Sequence, residues 1–192
     1  SFGTGAVTYY EGNAAFDPST GKILFAYGNP SNSQYGTAVI GTITGTAISW
    51  GTPIVFASEG VDYVVTTYDP DSEKVIIVWR GEGTPYFGRA VVGTVSGTSI
   101  SFGTPVVFES GGYTSSIRAS YDTAANKTLF VYQSSGNKAV VGTVSGTSIS
   151  FGSKLTSGLE GAENLIYDES ASKHVLVNAS SQVLTVSGTS VS

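Results

Sequence analysis

At 192 residues the chain can bury a sizeable core without covalent staples. It has no cysteine, which excludes disulfides, thiolate metal sites and cysteine nucleophiles. Charged residues make up 12% with a formal net charge of -5, and the nine Lys and Arg are scattered, which argues against nucleic acid, whose binding needs clustered cations. No apolar run approaches the roughly 20 residues of a membrane span, and no charged and then apolar leader precedes the first repeat. Methionine is absent too, so the chain is expected to be a processed or excised piece.

One unit recurs four times. Ala90 to Gly103 reads AVVGTVSGTSISFG, and Ala139 to Gly152 reads the same. Ala38 to Gly51 (AVIGTITGTAISWG) and Val183 to Ser192 (VLTVSGTSVS) are divergent copies. The Ser before Phe/Trp-Gly falls at Ser1, Ser49, Ser101 and Ser150, and Ser192 is in register with them. A second marker, an aromatic-Asp pair followed by Lys, appears as Phe16-Asp17 with Lys22, Tyr68-Asp69 with Lys74, Tyr121-Asp122 with Lys127, and Tyr167-Asp168 with Lys173. Repeats of about 40 to 50 residues built from short strands are the spacing of propeller blades.

Unit one spans about residues 8–56. In its turn Asp17-Pro18-Ser19-Thr20-Gly21, the Asp can cap its own turn and Pro presets φ. Its second strand ends at Tyr27, and the next loop carries Asn29, Asn32, Gln34 and Tyr35. Unit two, 57–108, opens on a loop with Glu59, Asp62 and Tyr63. Its second strand ends at Trp79, before Arg80, Glu82, Tyr86 and Arg89. Unit three, 109–157, shows the plan most clearly. Strand a is expected at about Ser116 to Asp122, and strand b at Lys127 to Gln133, dense in β-branched and aromatic residues. Strand c follows at Lys138 to Val144, a tight turn at Ser145-Gly146, and strand d from Thr147 onward. Unit four, 158–192, ends its second strand on Asn178 in place of an aromatic. The chain stops at the first half of a strand d, Thr189 to Ser192, and starts with a second half, Ser1 to Val7.

The expected fold is therefore one all-β domain over 1–192, a β-propeller of four four-stranded antiparallel blades. The ring is closed where the N-terminal strand half (1–7) completes unit four. A linear array, a pair of sandwiches, or a ring shared by two chains would carry the same repeat.

Catalytic chemistry is sparse. His174 is the single histidine and is expected to be a solvated or half-buried strand residue. No G-x-S-x-G turn accompanies it, and no H-E-x-x-H, P-loop or dinucleotide fingerprint occurs. Asp17, Asp69, Asp122 and Asp168 recur once per unit, as turn caps would, and lack the dense ligand spacing of a calcium loop. No enzyme activity, metal or cofactor is expected. The sets Phe2, Trp50, Phe102, Phe151 and Phe25, Ile77, Phe130, Leu176 each share one repeat position and read as core between units.

The d–a and b–c loops vary among units while the a–b and c–d turns hardly change. In an up-and-down blade the two variable loops lie at the same end, so variation gathers on one face, where binding usually evolves. The candidate ligand-binding residues there are Tyr10, Glu11, Tyr35, Asp62, Tyr63, Trp79, Tyr86, Arg89 and Tyr113. Aromatic rings beside carboxylates and amides suit a sugar. The same residues suit a protein interface.

The block AVVGTVSGTSISFGTPVVF and the strand pair joined by YDP-x-x-x-K resemble tandem repeats of large marine bacteriophage proteins and of bacterial surface proteins. The resemblance covers essentially the whole chain. It implies a non-catalytic structural or attachment module of a virion appendage or adhesin, located extracellularly or on the virion surface. The alternative is a lectin-type, carbohydrate-binding propeller. Partners would be a glycan or another structural protein, with no nucleic acid and no membrane insertion. Self-association and continuation into a longer chain stay open.

Overall fold

The computed structural model describes residues 12–83, 85–161 and 163–192. The molecule is all-β and antiparallel throughout these residues, with one 3-10 turn at Pro30–Asn32 and no α-helix among them. Unit one comprises β1 (Asn13–Asp17), β2 (Lys22–Asn29), β3 (Tyr35–Thr44) and β4 (Ala47–Trp50). The next strand, β5 (Ile54–Asp69), serves two units. Its start pairs with β3, and Gly60 onward pairs with β6 (Lys74–Glu82). Unit two continues with β7 (Gly88–Ser96), β8 (Ser99–Phe102) and β9 (Val106–Glu109). Because Ser58 and Glu59 stay extended, units one and two merge into a single nine-stranded sheet.

Unit three is a separate four-stranded sheet of β10 (Ser115–Asp122), β11 (Lys127–Gln133), β12 (Asn137–Ser145) and β13 (Ser148–Phe151). Unit four has three strands, β14 (Asn164–Asp168), β15 (Lys173–Val177) and β16 (Gln182–Leu184), and a short hairpin of β17 (Val186–Ser187) and β18 (Ser190–Val191). Strand b of unit three matches its sequence expectation, and strands a and c differ by a residue at their ends.

Strand d is not one strand. β4, β8 and β13 each pair with one half of strand c, and the chain then breaks. It rejoins the other half at Ile54, Val106 and Leu155. The break falls where Pro53 and Pro105 have no N–H to donate. The preceding glycines keep the ladder going, since Gly51, Gly103 and Gly152 donate their N–H to Ile40, Val92 and Val141 at 2.8, 2.9 and 2.9 Å. These glycines have a second task. A Cβ on Gly51 would overlap the carbonyl oxygen of Thr98, and one on Gly103 or Gly152 would overlap that of Thr147 or Thr189. Each of those threonines sits in the c–d turn of the following unit. Contact between successive units is therefore backbone to backbone at this point.

Strand b of the inner units is buried on both faces, which explains the unbroken apolar run of β6. Val75, Ile77 and Trp79 enter a core shared with Leu24, Ala38, Ile40 and Phe56 of unit one. Ile76 and Val78 enter a second core with Ile117, Phe130 and Tyr132 of unit three. Leu129 and Val131 turn to a third core with Leu165, Leu176 and Leu184 of unit four. The expected core positions Ile77, Phe130 and Leu176 thus lie in three successive cores. Phe102 and Phe151 pack at the margins of the first two. Phe25 is half-buried and stacks on Tyr27, while Phe2 lies outside the described residues.

The first strands of the units neighbour one another in chain order, β1 against β5, β5 against β10, and β10 against β14. Asn13 Oδ1 accepts from Thr66 N at 3.0 Å, and Arg118 Nε donates to the Glu163 carbonyl at 2.8 Å. A cavity of about 500 Å³ is lined by all four of these strands. Among its walls are Asn13, Val65, Arg118 and Asn164, each four residues before the turn Asp of its unit.

The four turn aspartates are caps. Asp17, Asp69, Asp122 and Asp168 each accept two successive backbone N–H groups through Oδ1, at 2.8 to 3.3 Å. For Asp17, burial raises the pKa, but bonds from Ser19 and Thr20 outweigh it and hold the carboxyl below its usual range. His174 corrects the sequence expectation. It is fully buried, with Nε2 3.4 Å from Asp122 Oδ2 and the Tyr167 ring 4.9 Å away. Burial lowers its pKa against the pull of Asp122, because an imidazolium there would lose its water.

Candidate functional site

The d–a and b–c loops meet at one end of the sheets, and a carboxylate marks the meeting in three units. Glu59 Oε1 accepts from Trp79 Nε1 at 3.1 Å, and both Glu59 oxygens accept from Arg89 Nη1, at 3.0 and 2.9 Å. Glu109 accepts from Gly111 N at 2.6 Å, Tyr132 Oη at 3.0 Å, Lys138 Nζ at 3.1 Å and Lys154 Nζ at 3.0 Å. Glu160 accepts from Asn178 Nδ2 at 3.1 Å and from the Ser180 hydroxyl. The plan is similar each time: the acid comes from the d–a crossing, one donor from strand b or the residue after it (Trp79, Tyr132, Asn178), and another from the start of strand c or the loop before it (Arg89, Lys138, Ser180). The signal was in the sequence. Glu59 and Glu160 stand ten residues after Ser49 and Ser150, and Glu11 stands ten after Ser1.

The strength of the clamp differs among units. Burial raises the pKa of Glu109, but the Gly111 N–H, the two lysines and Tyr132 outweigh it and hold the carboxyl at about 2. Tyr132 is pushed up, first by burial and then by the charge of Glu109. A carboxylate held this far down is an anchor and a poor proton donor.

The second constellation centres on Arg80, which follows Trp79 within β6 and was grouped in the sequence only as a loop residue. Its guanidinium pairs with Asp62 and is buried with it. Three phenol rings surround the guanidinium carbon, with centroids at 4.1 Å for Tyr113, 4.8 Å for Tyr63 and 5.3 Å for Tyr86. Tyr86 and Tyr113 also pack on each other, 5.3 Å between centroids. Each cation–ring contact contributes about 0.5 to 2 kcal/mol, more where water is excluded. Tyr113 remains 52% exposed and Tyr86 39%, so the cluster is buried at its base and open at its top.

Of the nine candidates, Asp62, Tyr63, Tyr86 and Tyr113 thus converge on one guanidinium across the joint between units two and three. Trp79 and Arg89 join Glu59 at the joint between units one and two, beside an indentation of about 380 Å³ walled also by Phe56 and Pro105. The Trp79 indole is itself fully buried and supports this wall from within. Tyr35 stands apart at the start of β3, paired with Asn29 and Gly60. Tyr10 and Glu11 lie outside the described residues. No group of three or more metal-ligating His, Asp or Glu forms among the described residues.

No protein-family model matches the chain, and no curated protein matches it.

Proposed function

We propose that this chain is a non-catalytic attachment module of a phage virion appendage or bacterial surface adhesin. In this reading it is a four-bladed β-propeller displayed outside the cell or on the virion, and it makes contact through the face where the d–a and b–c loops meet. The observation that carries the reading is the Arg80 cluster. Tyrosine and arginine dominate binding hot spots because large rings cover area at low entropic cost. Here one desolvated ion pair fixes three such rings, so little order remains to be lost on contact. The carboxylates of the same face are engaged by their own donors, which supports a scaffold role over acid–base work.

A glycan array run with the wild-type domain, Tyr113→Ala and Tyr86→Ala tests this. Saturable binding lost in the variants is the expected result for a glycan partner. A blank array with self-association that the same variants abolish supports a protein partner. Release of sugar from any glycan, or neither glycan binding nor self-association that depends on these two tyrosines, overturns the reading of the Arg80 cluster as the contact site.

What supports the propeller is the succession of three inter-unit cores and a cavity lined by the first strands of all four units. The repeat supports closure, since Ser1 to Val7 matches the second half of strand d and Thr189 to Ser192 the first. Deleting residues 1–7 is expected to lower the thermal midpoint by about 10 °C, the loss of a few kcal/mol in a chain of this size. An unchanged midpoint in a calorimetric scan rules closure out.

A further inference from the structure

The joint between units three and four departs from the two before it. At the first, Phe56 of unit one packs on Trp79 and Phe102 of unit two, with centroids 5.1 and 6.0 Å away. At the second, Phe108 packs on Tyr132 and Phe151, at 5.1 and 5.5 Å. At the third, the repeat position of Phe56 and Phe108 is Ser157, and that of Trp79 and Tyr132 is Asn178. Both aromatic partners are replaced by short polar side chains, and the core of this joint is aliphatic. A cavity of about 390 Å³ opens between the two units, lined among others by Ser116, Gln133, Asn137, Glu160, Glu163 and Asn178.

The electrostatics change in the same place. Glu59 has Arg89 against it and Glu109 has two lysines, but the residue matching Arg89 and Lys138 in unit four is Ser180. Among the described residues no cation pairs with Glu160. The walls are nonetheless held firmly. Asn178 Nδ2 also donates to the Gly161 carbonyl at 3.0 Å, and its Oδ1 accepts from Ser180 N at 2.8 Å. Asn137 Nδ2 donates to the Leu159 carbonyl at 3.2 Å, and Gln182 Oε1 accepts from Glu160 N at 2.9 Å. The loop that carries Glu160 is thereby stapled to units three and four.

We infer that this cleft is a binding site for a neutral sugar residue. Its volume falls in the range of small-ligand pockets. Two carboxylates, neither of them ion-paired among the described residues, disfavour an anion, with Arg118 spent on the Glu163 main-chain carbonyl. Amide and hydroxyl groups interleaved with carboxylates offer acceptors and donors at short intervals, the pattern that vicinal hydroxyls satisfy. A site built to bond hydroxyls rejects analogues that lack them, because its own polar groups would be left unpaired. This site is separate from the Arg80 cluster. It rests on the attachment reading only in that a sugar is a surface target.

The test is titration of the purified 192-residue chain, followed by two-dimensional NMR, with a panel of neutral methyl hexosides and N-acetylhexosaminides, and separately with calcium chloride. Shifts confined to the amides of Gln133, Asn137 and 178–179 are expected for at least one sugar. Asn178→Trp, which restores the side chain of unit two, should weaken that sugar at least tenfold, and Tyr113→Ala should leave it unchanged. If Asn178→Trp misfolds, Glu160→Gln should show the same loss in a folded chain. No sugar shifting these amides, calcium shifting them while no sugar does, or sugar binding lost in Tyr113→Ala and kept in Asn178→Trp, each overturns the inference. The last of these outcomes leaves the attachment reading standing.

Discussion

Gly103→Ala is expected to destabilise the protein by about 3 kcal/mol, far beyond the usual cost of alanine at an exposed loop position. The new methyl would overlap the backbone carbonyl oxygen of Thr147, and a backbone cannot rotate aside as a side chain can. Relief requires unit three to move away from unit two. That would loosen Phe108 against Phe151 and the core behind them. Gly103 also donates its N–H to Val92, so its own strand is held in place. Gly51→Ala and Gly152→Ala are expected to act in the same way at the other two joints. Urea denaturation of the three variants and of Gly97→Ala as control measures the effect. Gly97 has a positive φ of 61° and open space around it, so alanine there meets strain but no neighbour. Joint variants no less stable than Gly97→Ala would show that the units are not in backbone contact.

Glu109→Ala is the second large effect, also about 3 kcal/mol at neutral pH. Glu109 is 1% exposed and satisfies four donors at once. Removing it leaves the buried Tyr132 hydroxyl and the Gly111 N–H without an acceptor, and two lysines without their counter-charge. Both lysines retain some contact with water, which limits the loss. The pH dependence follows from a pKa of 4.5 in the unfolded chain and about 2 in the fold. The carboxylate's contribution is complete above pH 4.5 and is lost as the pH falls from there toward 2, because the unfolded chain takes up the proton first. The stability gap between wild type and Glu109→Ala should therefore shrink across that window. A gap that stays constant down to pH 2.5 would mean that Glu109 is not held as an anion.

Much of the architecture was legible because repetition averages out local ambiguity. The Asp caps and the position of strand b recur often enough for the turn chemistry to be read four times over. The break in strand d was less visible, since Gly-Thr-Pro is compatible with a loop or a bulge, and it is the glycine N–H bonds, such as Gly51 to Ile40, that show pairing persists. The run through Ser58 and Glu59 looked like a loop because it is polar, yet β5 passes straight through it. Polarity there reflects the end of the sheet, where side chains turn to each other and to water. His174 was misplaced for a related reason. A lone histidine in a strand reads as surface, and nothing local reveals that Asp122 of the neighbouring unit waits 3.4 Å away. Within the candidate site, the loop tyrosines were recognisable as a group. Their common centre, Arg80, was not, because adjacency to Trp79 in sequence gives no hint that the two side chains leave opposite faces of β6. Trp79 itself was taken for a surface ring, although the period of two along β6 already directs it, like Ile77, into the first core.

The continuity of β5 has a mechanical meaning. Between units one and two the backbone is extended and hydrogen-bonded on both sides of Ser58–Gly60, so no flexible joint exists there. After Glu109 and after Leu155 the chain leaves strand structure before the next unit begins. Those two crossings are bridged by side chains in place of a continuous strand ladder. Tyr113 lies in the first crossing, and Glu160 lies in the second. In the proposed reading, a partner seated on the Arg80 cluster, or a sugar held beside Asn178, would add to these bridges and act as a splint across a joint.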